Sequence, residues 1–488
     1  MPFASFAPTP LRAAVAALLV SSPLAHGADL LQVYHEAQGN DAQYASARFQ
    51  AQAGQEALPQ ARSGLLPQIS GSASLTRSEV EQRSPTRVER NGTSKGWSLN
   101  LTQPLFRWDR WETYRQGELQ VAIADTTLAQ ASIDLITRVS DAYFNVLAAQ
   151  DNLHLAGAQK DAIAQQLEQA KRNFEVGTAT ITDTNEAQAS YDLAISTEIA
   201  ARSALEVARA TLQQIIGKPP EELMGLRPGA PLPGPVPADV SSWSQRAEDG
   251  NLQAIIASLS SQIAQRETSK ARAGHLPTVD LVASRSYSSN STASQNTTTL
   301  GGTRSDSSQI GVQLTIPLFS GGFTQSRVRE TLALESKAAS DYDFARRTAA
   351  QSARQYYSGV TNGLAQVAAL EAAEKSALSS LESNRLGYEV GVRINIDVLN
   401  AQAQLFATRR DLQRARYDTI LNGLRLKAAA GTLTEDDVVQ INTLLTATSA
   451  SLTVLPASTA GKAAPKKTPA SPAASSLVQP RVASRAAN

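Results

Sequence analysis

The sequence contains no cysteine among its 488 residues and only four histidines. The lack of cysteine excludes disulfides, thiolate metal sites, a cysteine nucleophile and a lipid anchor on an N-terminal cysteine. His26, His35, His154 and His275 lie far apart at no ligand spacing, so we predict no metal site and no cofactor. Since no nucleophile and base are grouped either, we predict no catalytic residues and no enzyme.

The sequence also has almost no net charge, few aromatic residues and few long apolar runs. Lys and Arg number 45 against 44 Asp and Glu, a net charge of +1, so we predict no nucleic-acid partner. Aromatic residues make up only 5% of the chain, which is low for a protein with large compact cores. Beyond the first residues, no apolar run approaches the roughly 20 residues of a membrane helix.

The N-terminus has the pattern of an export signal. Arg12 precedes the apolar run at residues 13–20, and Ala25-His26-Gly27 places small residues where a signal peptidase reads them. We therefore predict that residues 1–27 are a signal peptide, with cleavage before Ala28. A soluble N-terminal helix is the alternative.

An internal repeat of long period follows. Residues 61–67 (ARSGLLP) recur at 271–277 (ARAGHLP), residues 101–106 (LTQPLF) at 314–319 (LTIPLF), and residues 174–177 (FEVG) at 388–391 (YEVG). The period is far longer than the roughly 20–50 residues of solenoid repeats, so each copy is a whole structural half. The chain is predicted to be a tandem duplication.

In each half, a helical approach ends at a proline and a strand pair follows it. Ile69, Gly71, Ala73 and Leu75 alternate with polar residues. The same alternation recurs from Trp97 to Thr102, from 279 to 283 and from 310 to 316. Period-2 alternation over about ten residues is typical of a membrane barrel strand, although a half-buried soluble hairpin would look the same. Because two hairpins supply four strands and a barrel needs about eight or more, one chain cannot close a barrel.

The period then changes to that of helices. Residues 117–217 and 324–431 contain no proline and are rich in Ala, Leu, Gln, Glu and Arg, with one interruption each near Gly177 and Gly391. Ile163, Leu167, Ala170 and Phe174 have coiled-coil spacing, which predicts a close helical seam. Each half is thus predicted to be a β-hairpin followed by a long antiparallel helical hairpin.

Three motifs resemble the TolC family of outer-membrane channels. They are residues 143–147 (YFNVL), 274–278 (GHLPT) and 390–399 (VGVRINIDVL), and the likeness runs from about 28 to 445. The resemblance implies an α+β membrane protein, a homotrimer with one twelve-stranded barrel continued by an α-helical periplasmic tunnel. It further implies a passive exit duct for efflux or type I secretion in the outer-membrane lipid, opened by a periplasmic adaptor and an inner-membrane RND or ABC transporter.

The resemblance also implies site residues at the tunnel tip. By motif position, Tyr388 and Arg393 match the donors of a lock between the helical hairpins, and Thr182 and Asp183 match its acceptors. The alternative for Asp183 is a helix capping box formed by residues 183–186. Asp397 matches the first ring at the entrance, whereas the second ring position holds Asn400, which predicts a weaker cation block.

Five aromatic residues are predicted to group around the strand-to-helix junctions: Trp97, Phe106, Trp108, Trp111 and Phe319. An aromatic belt at the membrane interface accounts for them, and plain packing between strands and helices is the alternative.

The predicted domains follow from the repeat. After the signal peptide come a first repeat (28–217; hairpin about 67–106, helices about 107–217) and an equatorial link at 218–242. A second repeat follows (243–431; hairpin about 277–319, helices about 320–431), then an equatorial segment at 432–448 and a disordered basic tail at 449–488. The rival interpretation is an exported periplasmic coiled-coil scaffold without a pore, whose hairpins would need no continuous apolar band.

Overall fold

The computed structural model describes residues 27–82, 88–294 and 301–446. The predicted tail and the predicted signal peptide, apart from Gly27, lie outside the described residues. The first repeat contains α1 (Leu30–Asn40), α2 (Ala42–Gln55), α3 (Ala57–Ser63), β1 (Gln68–Gln82), β2 (Val88–Phe106), α4 (Trp108–Glu175) and α5 (Ile181–Ile216). After β3 (Gly225–Leu226), the second contains α6 (Val240–Gly250), α7 (Leu252–Ala273), β4 (Thr278–Ser294), β5 (Gly301–Thr315), α8 (Phe323–Glu389) and α9 (Asn395–Ala429), followed by α10 (Glu435–Asn442) and β6 (Leu445–Thr446).

The two repeats have nearly the same backbone at their helical turns. Val176 and Val390 each end a long helix at φ −90° and ψ 3°, and Gly177 and Gly391 follow at φ 77° and 78°. Only glycine adopts such positive φ values without a steric cost, so the interruption falls where the sequence places glycine. The predicted duplication is confirmed at this level of detail.

The four long strands form one sheet in the order β1-β2-β4-β5, with every neighbouring pair antiparallel. β2 therefore joins the two hairpins by pairing with β4. Within the described residues, β1 and β5 have a strand neighbour on one side only. The chain thus presents two long open edges, which sheet proteins ordinarily cover or pair.

The helical hairpins α4–α5 and α8–α9 pack through small and branched residues. Leu167, Ala170, Ala187 and Ala194 are buried between α4 and α5, and alanine at such positions lets helices approach closely. Phe174, which was predicted to continue this seam, is 44% exposed. It lies in the last turn of α4, beside the turn that leads into the first residue of α5.

The largest core lies where α1, α4, α5, α9 and α10 meet. Tyr143 and Phe144 are almost fully buried there, and the Tyr143 hydroxyl donates to the Met224 carbonyl at 2.7 Å. The link and the C-terminal segment join this region through the pairing of β3 with β6. Among the described helices, none is both long and apolar enough to cross a lipid bilayer.

A part-buried hydrogen bond joins the repeats beside this core. The Tyr417 hydroxyl on α9 donates to the Asp151 carboxylate on α4 at 2.6 Å. Burial raises the pKa of Asp151, although the bond from Tyr417 works in the opposite direction. Burial likewise raises the pKa of Tyr417 well above its ordinary value. Folding therefore favours the protonated form of Asp151.

Asp151→Asn should remove part of the pH dependence of stability. A carboxyl whose folded pKa is raised contributes stability below its unfolded pKa of about 4, and that contribution is lost as the pH rises through the folded pKa. The asparagine oxygen still accepts from Tyr417 but does not ionise. We expect wild type to lose stability relative to Asp151→Asn as the pH rises from about 4 to about 7, measured by thermal unfolding in detergent. Parallel pH curves for the two proteins would contradict this.

Candidate functional site: the helical tips and the sheet face

The turn that joins α4 to α5 is stabilised by a capping box that includes Asp183. The Asp183 carboxylate accepts from the Thr180 backbone N–H at 2.9 Å and from its hydroxyl at 2.8 Å, and the Thr180 hydroxyl accepts from the Asp183 N–H. The N-cap is therefore Thr180, and the predicted box at 183–186 is wrong by three residues because α5 already begins at Ile181. Thr182 lies exposed in the first turn.

The two predicted donors lie at the turn that joins α8 to α9. Within the chain, each contacts a different residue from the one predicted. The Tyr388 hydroxyl accepts from Asn173 Nδ2 at 3.1 Å. Arg393 is mostly exposed, with Nη1 3.7 Å from the Asp397 carboxylate. Within the described residues of one chain, Tyr388 and Arg393 make no hydrogen bond to Thr182 or Asp183. A lock between neighbouring chains stays a prediction.

Asn395 links the two helical hairpins and was missed by the sequence analysis. It is fully buried, its Oδ1 accepts from Gln166 Nε2 at 2.5 Å, and its Nδ2 lies 3.4 Å from the Asp183 carbonyl. The first residue of α9 thus contacts both α4 and α5. The equivalent first residue of α5 is Ile181, which is 53% exposed. The replacement of an apolar residue by asparagine at this repeat position is the sequence feature that could have pointed to Asn395.

The two predicted ring residues lie three positions apart near the start of α9. Asn400 is exposed and Asp397 is half-buried, whereas Val398 and Leu399 between them are buried. Asp397 and Asn400 therefore share the accessible side of this helix. Their place in a ring of several chains stays a prediction.

One face of the sheet is apolar across all four strands. Residues directly opposite in antiparallel strands project to the same face. One such row holds Ile69, Leu101, Ala283 and Ile310, and the opposite face carries residues such as Ser70, Asn100, Ser284 and Gln309. Large members of the apolar face stay exposed in the chain, including Ile69 at 64% and Ile310 at 75%. The predicted alternation is confirmed, and its apolar side runs through all four strands near the helices, whereas farther out the same face also carries polar residues such as Ser308 and Asp306.

The five predicted aromatic residues do not all group together. Phe106, Trp108, Trp111 and Phe319 lie at or beside the strand-to-helix junctions, and all are at least 40% exposed. Trp97 instead lies in the middle of β2, directly opposite Tyr287. It is nine residues before Phe106, which is about 30 Å along a strand. Its predicted place at the junction is wrong.

Comparison with known proteins agrees with this architecture. The family model described as "Outer membrane efflux protein" matches residues 33–218 and 243–432, one match on each repeat. The chain belongs to the outer membrane efflux protein family. Because this is a family of outer-membrane efflux proteins, the predicted outer-membrane location and the predicted exit duct for efflux are confirmed.

Relatives and solved structures of the family cover most of the chain. The outer membrane protein TolC of Vibrio cholerae is 34% identical over 88% of this chain and 96% of its own length. The alkaline protease secretion protein AprF of Pseudomonas aeruginosa is 32% identical over 84% and 85%. The structure of the outer membrane protein VceC from Vibrio cholerae has a TM-score of 0.68 and 18% identity, covering 82% of this chain and 96% of that one.

An ion pair joins the two strand hairpins where the strands meet the helices. Arg107, between β2 and α4, donates from Nε to Asp280 Oδ1 at 3.0 Å and from Nη2 to Oδ2 at 2.6 Å. Asp280 belongs to β4 and is only 7% exposed. This two-bond pair fixes the turn out of the first hairpin against the second hairpin.

Proposed function

We propose that three copies of the chain share one twelve-stranded barrel, continued by a tunnel of the long helices into the periplasm. The observation that carries the proposal is the four-stranded sheet with open edges at β1 and β5. Pairing β1 of one chain with β5 of the next removes every edge, which four strands alone cannot do.

The two faces of the sheet support the same arrangement. The exposed apolar face suits lipid, and the opposite face, rich in serine, threonine and asparagine, suits a water-filled interior. An exported scaffold without a pore would leave the apolar face in water, so this face disfavours that alternative. Phe106, Trp108, Trp111 and Phe319 would then mark one membrane interface, and Trp97 with Tyr287 the other.

The tunnel tip is proposed to be the gate. Arg393 is exposed and has only a long contact of 3.7 Å to Asp397, so its guanidinium is available to a neighbouring chain. Thr182 and Asp183 of that chain would accept from it, and Tyr388 would close the same tip. Asp397 would form the entrance ring, and Asn400 leaves the second ring without charge.

The cargo pathway follows from the duct. The chain itself has no predicted energy source, so we propose that a periplasmic adaptor and an inner-membrane RND or ABC transporter dock at the tip and open it. Secretion of a protein cargo is part of the proposal because AprF is named for alkaline protease secretion. The link at 218–242 and the segment at 432–448 would form an equatorial belt, supported by the β3–β6 pairing.

Purification in detergent tests the assembly. We expect the native mass of three chains, loss of solubility without detergent, and conductance in planar bilayers. Because the chain has no cysteine, Ser72→Cys on β1 can be combined singly with Gln309→Cys, Ser307→Cys or Gln313→Cys on β5. One combination should give disulfide-linked trimers. A monomer that is soluble without detergent would refute the barrel.

A further inference from the structure

The apolar face of the sheet changes character toward the strand ends that lie away from the helices. The row of directly opposite residues that includes Trp97 consists of Ala73, Trp97, Tyr287 and Asp306. The neighbouring row on the helix side contains Arg285, directly opposite Leu99 and Ser308. Lys95 and Arg304 occupy the next row outward, and Arg77 the row after that.

Arg77, Lys95, Arg285 and Arg304 form what we call the basic collar. All four are exposed and project to the same face as Trp97. Within the described residues, none of them makes an ion pair or a side-chain hydrogen bond. Asp306 is the acid among these rows, and Glu79 follows one row farther out. The collar is therefore a net basic patch on a face that is apolar nearer the helices.

The depth of the collar follows from strand geometry. Phe106 and Trp97 are about 30 Å apart along the strand at 3.3 Å per residue. At a strand tilt of about 40°, this corresponds to about 23 Å along the barrel axis, close to the roughly 25 Å apolar band of outer-membrane barrels. If Phe106 lies at the interface on the helix side, Trp97 lies at the opposite interface. Arg77, Lys95 and Arg304 then lie at the headgroup level of the outer leaflet, and Arg285, one row nearer the helices, has a side chain long enough to reach that level.

We propose that the basic collar binds the phosphate groups of a phosphorylated glycolipid in the outer leaflet. The inference rests on the proposed barrel. Guanidinium groups form oriented, charge-assisted bonds with phosphate, and the apolar rows beneath the collar would contact the acyl chains of the same lipid. A water-soluble acidic partner would leave those apolar rows uncovered, so the lipid fits the patch as a whole.

The test uses the full-length protein in detergent with three probes: diphosphoryl lipid A, dephosphorylated lipid A and phosphatidylglycerol. Lipid binding is counted by native mass spectrometry and titrated at low salt. The triple variant Lys95→Gln, Arg285→Gln and Arg304→Gln removes three collar charges. The control triple Arg329→Gln, Arg354→Gln and Lys375→Gln removes three exposed charges from α8.

We expect wild type and the control to prefer diphosphoryl lipid A over both other probes. The collar variant should bind it about 100-fold more weakly, since each basic group near an anionic lipid surface contributes about a factor of five. Added salt at 0.5 M should narrow the difference by screening. Equal affinity of the collar variant and wild type, or equal binding of phosphatidylglycerol and diphosphoryl lipid A by wild type, would overturn the proposal.

The same preparations separate failure of this inference from failure of the proposed function. Native mass and bilayer conductance are measured on wild type before any lipid is added. A conducting trimer without the expected lipid preference would refute the collar alone. A wild-type protein that neither forms trimers nor conducts would refute the barrel on which the collar depends.

Discussion

Tyr388→Phe combined with Arg393→Ser should raise single-channel conductance severalfold. The double substitution removes a hydroxyl that accepts from Asn173 and a guanidinium that is proposed to bond a neighbouring chain. Charge-assisted bonds contribute about 1.5–3 kcal/mol each when desolvated and less when wet, and the effect is repeated in every chain of the assembly. Helix content and thermal stability should change little, because the buried seam residues Leu381, Val398 and Leu405 remain.

A matched control lies on α8, the helix that carries Tyr388. Tyr342→Phe with Arg347→Ser makes the same two chemical changes at the same spacing of five residues, more than 40 residues before the tip. Arg347 makes only an exposed ion pair with Asp343, whose loss should cost less than about 1 kcal/mol. We expect wild-type conductance from this control. An equal rise in both doubles would show that general loosening, rather than a tip lock, opens the channel.

Asp183→Ala separates the capping role of this residue from the proposed lock. Loss of the Thr180–Asp183 box should lower local helix stability by about 1 kcal/mol. If Asp183 also accepts from a neighbouring Arg393, the same substitution should raise conductance. A stable double substitution with unchanged conductance, together with an Asp183→Ala protein that is only less stable, would place the gate elsewhere.

The repeat, the strand alternation and the helical turns could be predicted because each depends on local pattern. Gly177 and Gly391 interrupt the two helical segments, and their positive φ values lie at the two turns. The apolar side of each strand is set by a period of two residues. Pairing β2 with β4 brings all four apolar sides to one face, and this continuity follows once the register is known.

The contacts that position the site depend on residues far apart in sequence. Gln166 and Asn395 are separated by 229 positions, and nothing at either position alone indicates that both are buried. The capping box shows a smaller limit: both Thr180 and Asp183 are good N-caps, and the backbone decides which of them begins the helix. Phe174 fits the seam by spacing, yet it lies in the last turn of α4 and is 44% exposed, which spacing alone does not indicate.

Arg107→Ala should cause the largest loss of stability among single substitutions at the junction. It removes both hydrogen bonds that Arg107 makes to the carboxylate of Asp280, which is only 7% exposed. Removing one member of a buried pair costs about 3–5 kcal/mol. Because the Arg107 side chain is 33% exposed, we expect the lower end, about 3 kcal/mol per chain. The measurements are the thermal midpoint of the protein in detergent and the yield of folded protein.

Two further variants show whether the unpaired Asp280 carboxylate causes the loss of stability. Arg110→Ala removes an arginine from the first turn of the same helix, where its contact with Asp109 is 3.8 Å long and exposed, so its cost should stay below about 1 kcal/mol. Arg107→Ala with Asp280→Asn should recover part of the loss, because the neutral amide is less costly to bury than the carboxylate. Equal stability of Arg107→Ala and Arg110→Ala would mean that the junction is held by packing alone. The two strand hairpins would then be joined by the β2–β4 ladder without help from this ion pair.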